Sequence, residues 1–213
     1  MNLSAVEASL RQLQAEFAGV TAGLGAHRDP LDDRVVDNML AGYAFIDELA
    51  AAGTDVFAYG HARQLLDLNT LVLCGPSAVR RAAHAGHVAA TERRFYEERE
   101  AGIEDVVDWH ARHIDEPVWT RAAGVYVRML SKPQLFIEGN HRTGCLVMSY
   151  ILLREGLPPF VVALENAAAY FEPSTVLRDI AKHTAASLFR APGLRRQLAL
   201  LLRESSDARY VLS

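Results

Sequence analysis

The stretch Phe136-Ile137-Glu138-Gly139-Asn140-His141-Arg142-Thr143-Gly144 places polar and flexible residues where a loop enters a nearly all-apolar run. A helix that starts there leaves its first backbone amides without an intrahelical acceptor. Its dipole adds roughly half a positive charge at the same end, so an anion is the natural complement. Phosphate suits the side chains. Gly139 lets the backbone approach a ligand closely, Arg142 offers a forked donor to phosphate oxygens, and Asn140 adds an amide donor. Glu138 has the chemistry to hold a divalent cation that bridges phosphates. An architectural reading of the same residues is also open: Asn140 and Thr143 cap the helix, and Arg142 pairs with Glu138.

These residues depend on the elements around them. From His141 or Arg142 the chain is almost wholly apolar to Leu153, and Gly156, Pro158 and Pro159 stop it, which predicts a central helix buried all round. Upstream, Val118 to Leu130 reads as a helix with Ala122, Val125, Tyr126 and Met129 on its inner face. Lys132-Pro133 ends it and opens a loop from about Ser131 to Asn140. Toward the N-terminus, Ser4 and Glu7 form a capping box for a helix from residue 4 to about 18, broken by Gly19, Gly23 and Gly25. Asp32 or Asp33 caps a second helix with a stripe from Val35 to Leu49, ending before Gly53. Further helices are predicted over His61 to Leu73, Ala78 to about Glu100, Ile103 to His113, Ala167 to Tyr170, Ser174 to Phe189 and, after Gly193, Leu194 to Glu204. Pro159-Phe160-Val161-Val162 is the one β-like run. The expected fold class is all-α: residues 1-30 form a helical arm and residues 31-213 the main helical domain.

Composition narrows the function classes. Among 213 residues, 50% are apolar and 23% charged, as in ordinary globular domains, which excludes disorder and low complexity. Twenty-two Lys and Arg against 26 Asp and Glu leave a net charge of -4, so no global basic field exists to hold nucleic acid. Cys74 and Cys145 are too few and too far apart for a disulfide framework or a thiolate zinc site, and they suit a reducing cytoplasm. The first residues lack the features of a secretory or transit signal, so the mature protein is expected to begin at Met1 in the cytoplasm. The apolar run from Cys145 to Leu153 is about half the ~20 residues a membrane span needs, so no membrane partner is expected.

The loop and helix start resemble the signature of the Fic/Doc (Fido) family, His-Pro-Phe-x-Asp/Glu-Gly-Asn-Gly-Arg. Phe136, Glu138, Gly139, Asn140, Arg142 and Thr143 match in fixed spacing, and the resemblance extends over roughly Val35 to Phe189. It implies a Fic-type helical fold and a nucleotide-phosphate site that, in most members, transfers AMP from ATP to a hydroxyl of a protein target. ATP or another nucleotide and magnesium are the implied cofactors; other members transfer related phosphate-containing groups. Carried over, Glu138 ligates magnesium, while Phe136, Gly139, Asn140, Arg142, Thr143 and Gly144 surround the nucleotide. A nucleotide and a protein target are the implied partners, and a homo-oligomer is compatible with the resemblance.

Two departures touch the catalytic positions. Gln134 stands where the family has its general-base histidine, and an amide orients a hydroxyl but cannot accept its proton, a loss of order ~10² to 10⁴ in rate. His141 stands where the family has its second glycine, at a helix N-terminus whose dipole favours the neutral imidazole. It can supply the missing base, or it can restrict the anion site. The expected function is a Fic-like transferase with weakened or altered activity, or an inactive Fic-fold regulator or interaction module. Neither the β-hairpin flap nor the autoinhibitory-helix pattern of the family is found.

Other constellations are weaker. His84 with His87, and His110 with His113, sit three apart on predicted helices, but neither pair belongs to a Glu-x-x-His motif, and packing or solvated histidines are the expected reading. Arg80-Arg81, Arg93-Arg94 and Arg195-Arg196 are short and mixed with acids, as solvated faces are. Trp109 and Trp119 are expected to anchor helix packing, and Cys145 and Ser149 lie within the buried helix without an accompanying base.

Overall fold

The computed structural model describes residues 1–24, 30–98, 102–177, 180–182 and 184–212. They form ten α-helices and one 3₁₀ turn. The helices are α1 (Leu3–Ala22), α2 (Asp33–Ala51), α3 (Arg63–Cys74), α4 (Ala78–Ala83), α5 (Ala85–Glu97), α6 (Ile103–Arg112), α7 (Val118–Leu130), α8 (Asn140–Arg154), α9 (Ala167–Leu177) and α10 (Ala185–Glu204), and the turn is η1 (Ala208–Tyr210). The fold is all-α, as the helical periodicity predicts. No strand occurs among the described residues; Lys132 and Ala181 share a single parallel bridge.

The centre is α8. Eleven of its residues, including the unbroken run Thr143 to Leu152, are buried, because it is apolar on every face and has neighbours on every side. Helices α7, α2 and α3 pack around it, and α10 closes over α7. Small residues set the closest approaches. A side chain on Gly144 would meet Tyr126 Cδ2 at 2.7 Å, one on Gly42 would collide with Leu146, and one on Gly124 would collide with the Trp109 ring. Helix α1 packs on α2 and α9 and contributes Val6, Leu10 and Leu13 to the shared core.

Helix limits differ from expectation in five places. The N-cap of α1 is Asn2, whose Oδ1 accepts from Ala5 N–H at 3.3 Å, so Ser4 lies inside the helix; α1 also passes Gly19 and ends at Ala22. Gly25 lies outside the described residues. The segment from Ala78 is two helices, because α4 ends at His84; its expected end near Glu100 is outside the described residues, but the helix has already stopped at Glu97. Helix α9 ends at Leu177, and residues 180–182 are bridged to Lys132 instead of helical. Gly193 does not separate a last helix, since α10 runs through Pro192 and Gly193. Pro159 to Val162 lie in no helix or strand. Side chains serve their backbone: Tyr43 and Ser149 hydroxyls donate to the Phe160 carbonyl, both at 2.7 Å, and Asn166 Nδ2 donates to the Val161 carbonyl at 2.9 Å.

Candidate functional site

The loop leading into α8 is tied at both ends. Lys132 N–H donates to the Ile180 carbonyl at 2.7 Å, and Lys182 N–H returns a bond to the Lys132 carbonyl at 2.6 Å. Below them Asp105 accepts from Arg128 Nε at 2.7 Å and from Lys182 Nζ at 3.1 Å. Burial works against the Asp105 charge, yet the two cations outweigh it and hold the carboxyl below its ordinary range; burial lowers Lys182. Further along, the Arg94 guanidinium grips the Gln134 carbonyl through Nε at 2.9 Å and Nη2 at 2.7 Å.

Gly139 is the N-cap of α8, in the left-handed region at φ 76°, where glycine is favoured over residues with a Cβ. A side chain there would also approach Asn69 Nδ2 at 3.0 Å. Asn69, buried on α3, donates from that nitrogen to the Glu138 carbonyl and to Thr143 Oγ1, both at 3.0 Å, and so joins the loop to the first turn of α8. The helical ladder begins with Thr143 N–H on the Gly139 carbonyl at 2.9 Å. The donors of the preceding turn point along the axis out of the helix, the geometry on which an anion sits.

The predicted site residues fall into two groups. Phe136 is buried and stacks on Phe95 with centroids 5.7 Å apart. Asn140 is buried, with Oδ1 accepting from Phe136 N–H at 2.9 Å and Nδ2 donating to the Phe136 carbonyl at 2.8 Å and to Gln134 Oε1 at 3.2 Å. Gln134 Nε2 donates in turn to the Leu130 carbonyl at 3.1 Å, so both ends of its amide are engaged within the loop and α7. Thr143 is turned to Asn69, and Gly144 to Tyr126. These five residues shape the junction. Glu138, His141 and Arg142 form the outward group: Glu138 is exposed and the other two are half-buried. Arg142 Nη1 reaches the Val72 carbonyl at 3.4 Å, and no ion pair joins it to Glu138 among the described residues. His141 Nδ1 lies 3.2 Å from the Tyr126 hydroxyl, and its carbonyl accepts from the Tyr170 hydroxyl at 3.0 Å.

The remaining candidates have other surroundings. Among the described residues, no cluster of three or more His, Cys, Asp or Glu side chains could hold a metal. His84 sits in the break between α4 and α5, so it shares no helix face with His87. His110 stacks on Phe57 at 4.0 Å, and burial with nearby Arg121 pushes its pKa down to about 4. His113 stacks on Trp109 at 3.9 Å. Ser149 Oγ donates to the Cys145 and Phe160 carbonyls, while burial pushes the Cys145 thiol up to about 12. The sequence reading leaves out Asn69 and Tyr170, and it takes Arg94 as part of a solvated face and Tyr126 as core alone; Arg94 instead holds the Gln134 carbonyl. The signal for Asn69 was present, since it is the one amide among Leu65, Leu66, Leu68 and Val72 on the buried side of α3.

A helix N-terminus capped by a left-handed glycine and flanked by a carboxylate, an imidazole and a guanidinium has the chemistry to receive an anion. The chain is 29% identical over 119 residues to the protein adenylyltransferase fic-1 of Caenorhabditis elegans, covering 50% of the chain and 23% of that protein. It is 31% identical over 103 residues to the protein adenylyltransferase fic-1 of Caenorhabditis briggsae, covering 43% of the chain and 20% of that protein. The chain therefore spans less than a quarter of the length of the curated relatives it matches. No family model matches the chain, and no solved structure matches it significantly. Among the described residues, no helix is long and apolar enough to cross a membrane.

Proposed function

We propose that this chain is a Fic-like nucleotide-binding protein that transfers AMP, or a related phosphate-containing group, to a hydroxyl of a protein target by an altered proton-transfer step. The observation that carries the reading is the α8 N-terminus: Gly139 at φ 76°, with Glu138, His141 and Arg142 outward and the rest of the junction hydrogen-bonded behind them. Similarity to two protein adenylyltransferases over about half the chain supports it.

The residues fit a magnesium nucleotide. Magnesium at phosphates takes one or two carboxylates and keeps waters, and the exposed Glu138 carboxylate beside the helix N-terminus is such a donor. When bound, the magnesium nucleotide supplies the electrophilic phosphorus. Arg142 and the first-turn amides bind its phosphate oxygens and stabilise charge that develops there. Gln134 and Asn140 hold the loop in place instead of contacting the ligand. Residues 31-213 constitute the unit that binds the nucleotide.

A second reading, an inactive Fic-fold regulator or interaction module, is favoured by one observation: the Gln134 amide cannot accept a proton and is engaged at both ends. Incubation with magnesium and ATP labelled on the α-phosphate separates the two. Label on protein that disappears with Arg142→Ala supports the transferase. Retained ATP binding with no label under any condition supports the second reading.

A further inference from the structure

Alternate carbonyls of the loop before α8 are each taken by a side chain from a different helix. Arg94 of α5 holds the Gln134 carbonyl, Asn140 of α8 the Phe136 carbonyl, and Asn69 of α3 the Glu138 carbonyl. The last of these bears on the ligand side. A carbonyl only accepts, so the Asn69 amide presents its nitrogen there, and the same nitrogen donates to Thr143 Oγ1 at 3.0 Å, which holds the amide from two directions. The Glu138–Gly139 peptide is trans, and in a trans peptide the C=O and N–H point opposite ways. With the Glu138 carbonyl turned in to α3, the Gly139 N–H is turned out, and none of the described residues accepts from it. Gly139 is left-handed and Asn140 begins a right-handed helix, a pairing that brings successive N–H groups to one side.

We infer that Asn69 is a positioning residue for the phosphate site: by holding the Glu138 carbonyl inward it sets the Gly139 N–H outward, as a further donor to a phosphate oxygen ahead of the first turn of α8. Glycine makes such a partner necessary. Without a Cβ its backbone turns freely, so something else has to decide which edge of the peptide faces out. Asn69 is 1% exposed, so it acts through this peptide and not by touching the ligand. Leu73, one turn further along α3, closes the same side at 3.2 Å from where a Gly139 Cβ would stand. The inference rests on the phosphate-site reading given above.

Nitrogen-15 spectra of glycine-labelled protein, with the Gly139 signal assigned by its loss in Gly139→Ala, test it in titrations with inorganic pyrophosphate. Calorimetry on the same samples measures binding. In the wild type the Gly139 amide signal should move as pyrophosphate binds. Asn69→Asp keeps the size of the side chain but presents acceptors only, so the peptide should turn over and bring the Gly139 N–H to the carboxylate. The shift on titration is then lost, and in the ligand-free protein exchange of that amide with water slows. Asn69→Leu removes the donor and keeps the bulk; it should reduce the shift without slowing exchange, and it carries the test where Asn69→Asp does not fold. A merely structural role for Asn69 would lower stability and leave the shift at saturation unchanged, so a shift of wild-type size in a folded Asn69 variant overturns the inference. Pyrophosphate binding by the wild type that leaves the Gly139 signal in place also overturns it, while the phosphate-site reading stands. No calorimetric binding of pyrophosphate removes that reading and the inference with it.

Discussion

Gly139 is the residue on which the junction turns, and its demands are separable. At φ 76° a Cβ costs about 1–2 kcal/mol in backbone strain. Gly53, at φ 68°, has nothing near its missing side chain, whereas one on Gly139 would also press on Asn69 Nδ2 and Leu73. Gly139→Ala should therefore lower the midpoint of denaturant unfolding more than Gly53→Ala; equal shifts would mean the Asn69 contact yields freely. Residue type and spacing were enough to place Glu138, Gly139 and Arg142 where a loop enters the buried helix α8. The inward roles of Asn140, Thr143 and Gly144 were not legible in this way, since an amide, a hydroxyl and a glycine serve a ligand or a neighbouring helix equally well. Only the positions of Phe136, Asn69 and Tyr126 decide between them.

At the scale of elements, α3 and α6 both act on the site's support. Asn69→Ala removes two hydrogen bonds and leaves the Glu138 carbonyl and the buried Thr143 hydroxyl without that donor, a loss of about 1–3 kcal/mol in denaturant unfolding. Gly124→Ala on α7 drives a methyl into the Trp109 ring of α6; overpacking of this kind costs about 1–3 kcal/mol, and the Trp109 fluorescence should shift as the ring is displaced. A stable Gly124→Ala protein with unchanged emission would refute that packing. Helices with a clear apolar stripe and a capping residue, such as α2 behind Asp32, were readable from sequence. Gly193 was expected to separate a last helix, but the turn that it and Pro192 weaken lies at the surface, where Leu188 and Phe189 are exposed, while Leu198 and Leu202 bury the following turns. The β-like Phe160 to Val162 stays unpaired because Tyr43, Ser149 and Asn166 satisfy its carbonyls.

Across the whole molecule, stability should fall on acidification in two windows. His110 has an ordinary pKa of 6.5 and a folded value of about 4, so between these the unfolded chain takes up a proton that the folded chain refuses. The expected loss is on the order of 1–3 kcal/mol, and His110→Phe, which keeps the stack on Phe57, should flatten it. Asp105 acts lower: its stabilisation is present above its ordinary value of 3.8 and is lost as pH falls through its depressed folded value. Unfolding midpoints measured across this range would show both, and an unchanged slope in His110→Phe would remove His110 as the cause. None of this touches the outward face of α8, where the central claim lies. Calorimetric titration with ATP and magnesium, run on the wild-type chain beside Arg142→Ala, tests that claim most directly. Binding by the wild type that is lost in the variant is the predicted result. No binding of ATP, nor of GTP, CDP-choline or AMP titrated beside it, would contradict a phosphate site at the start of α8.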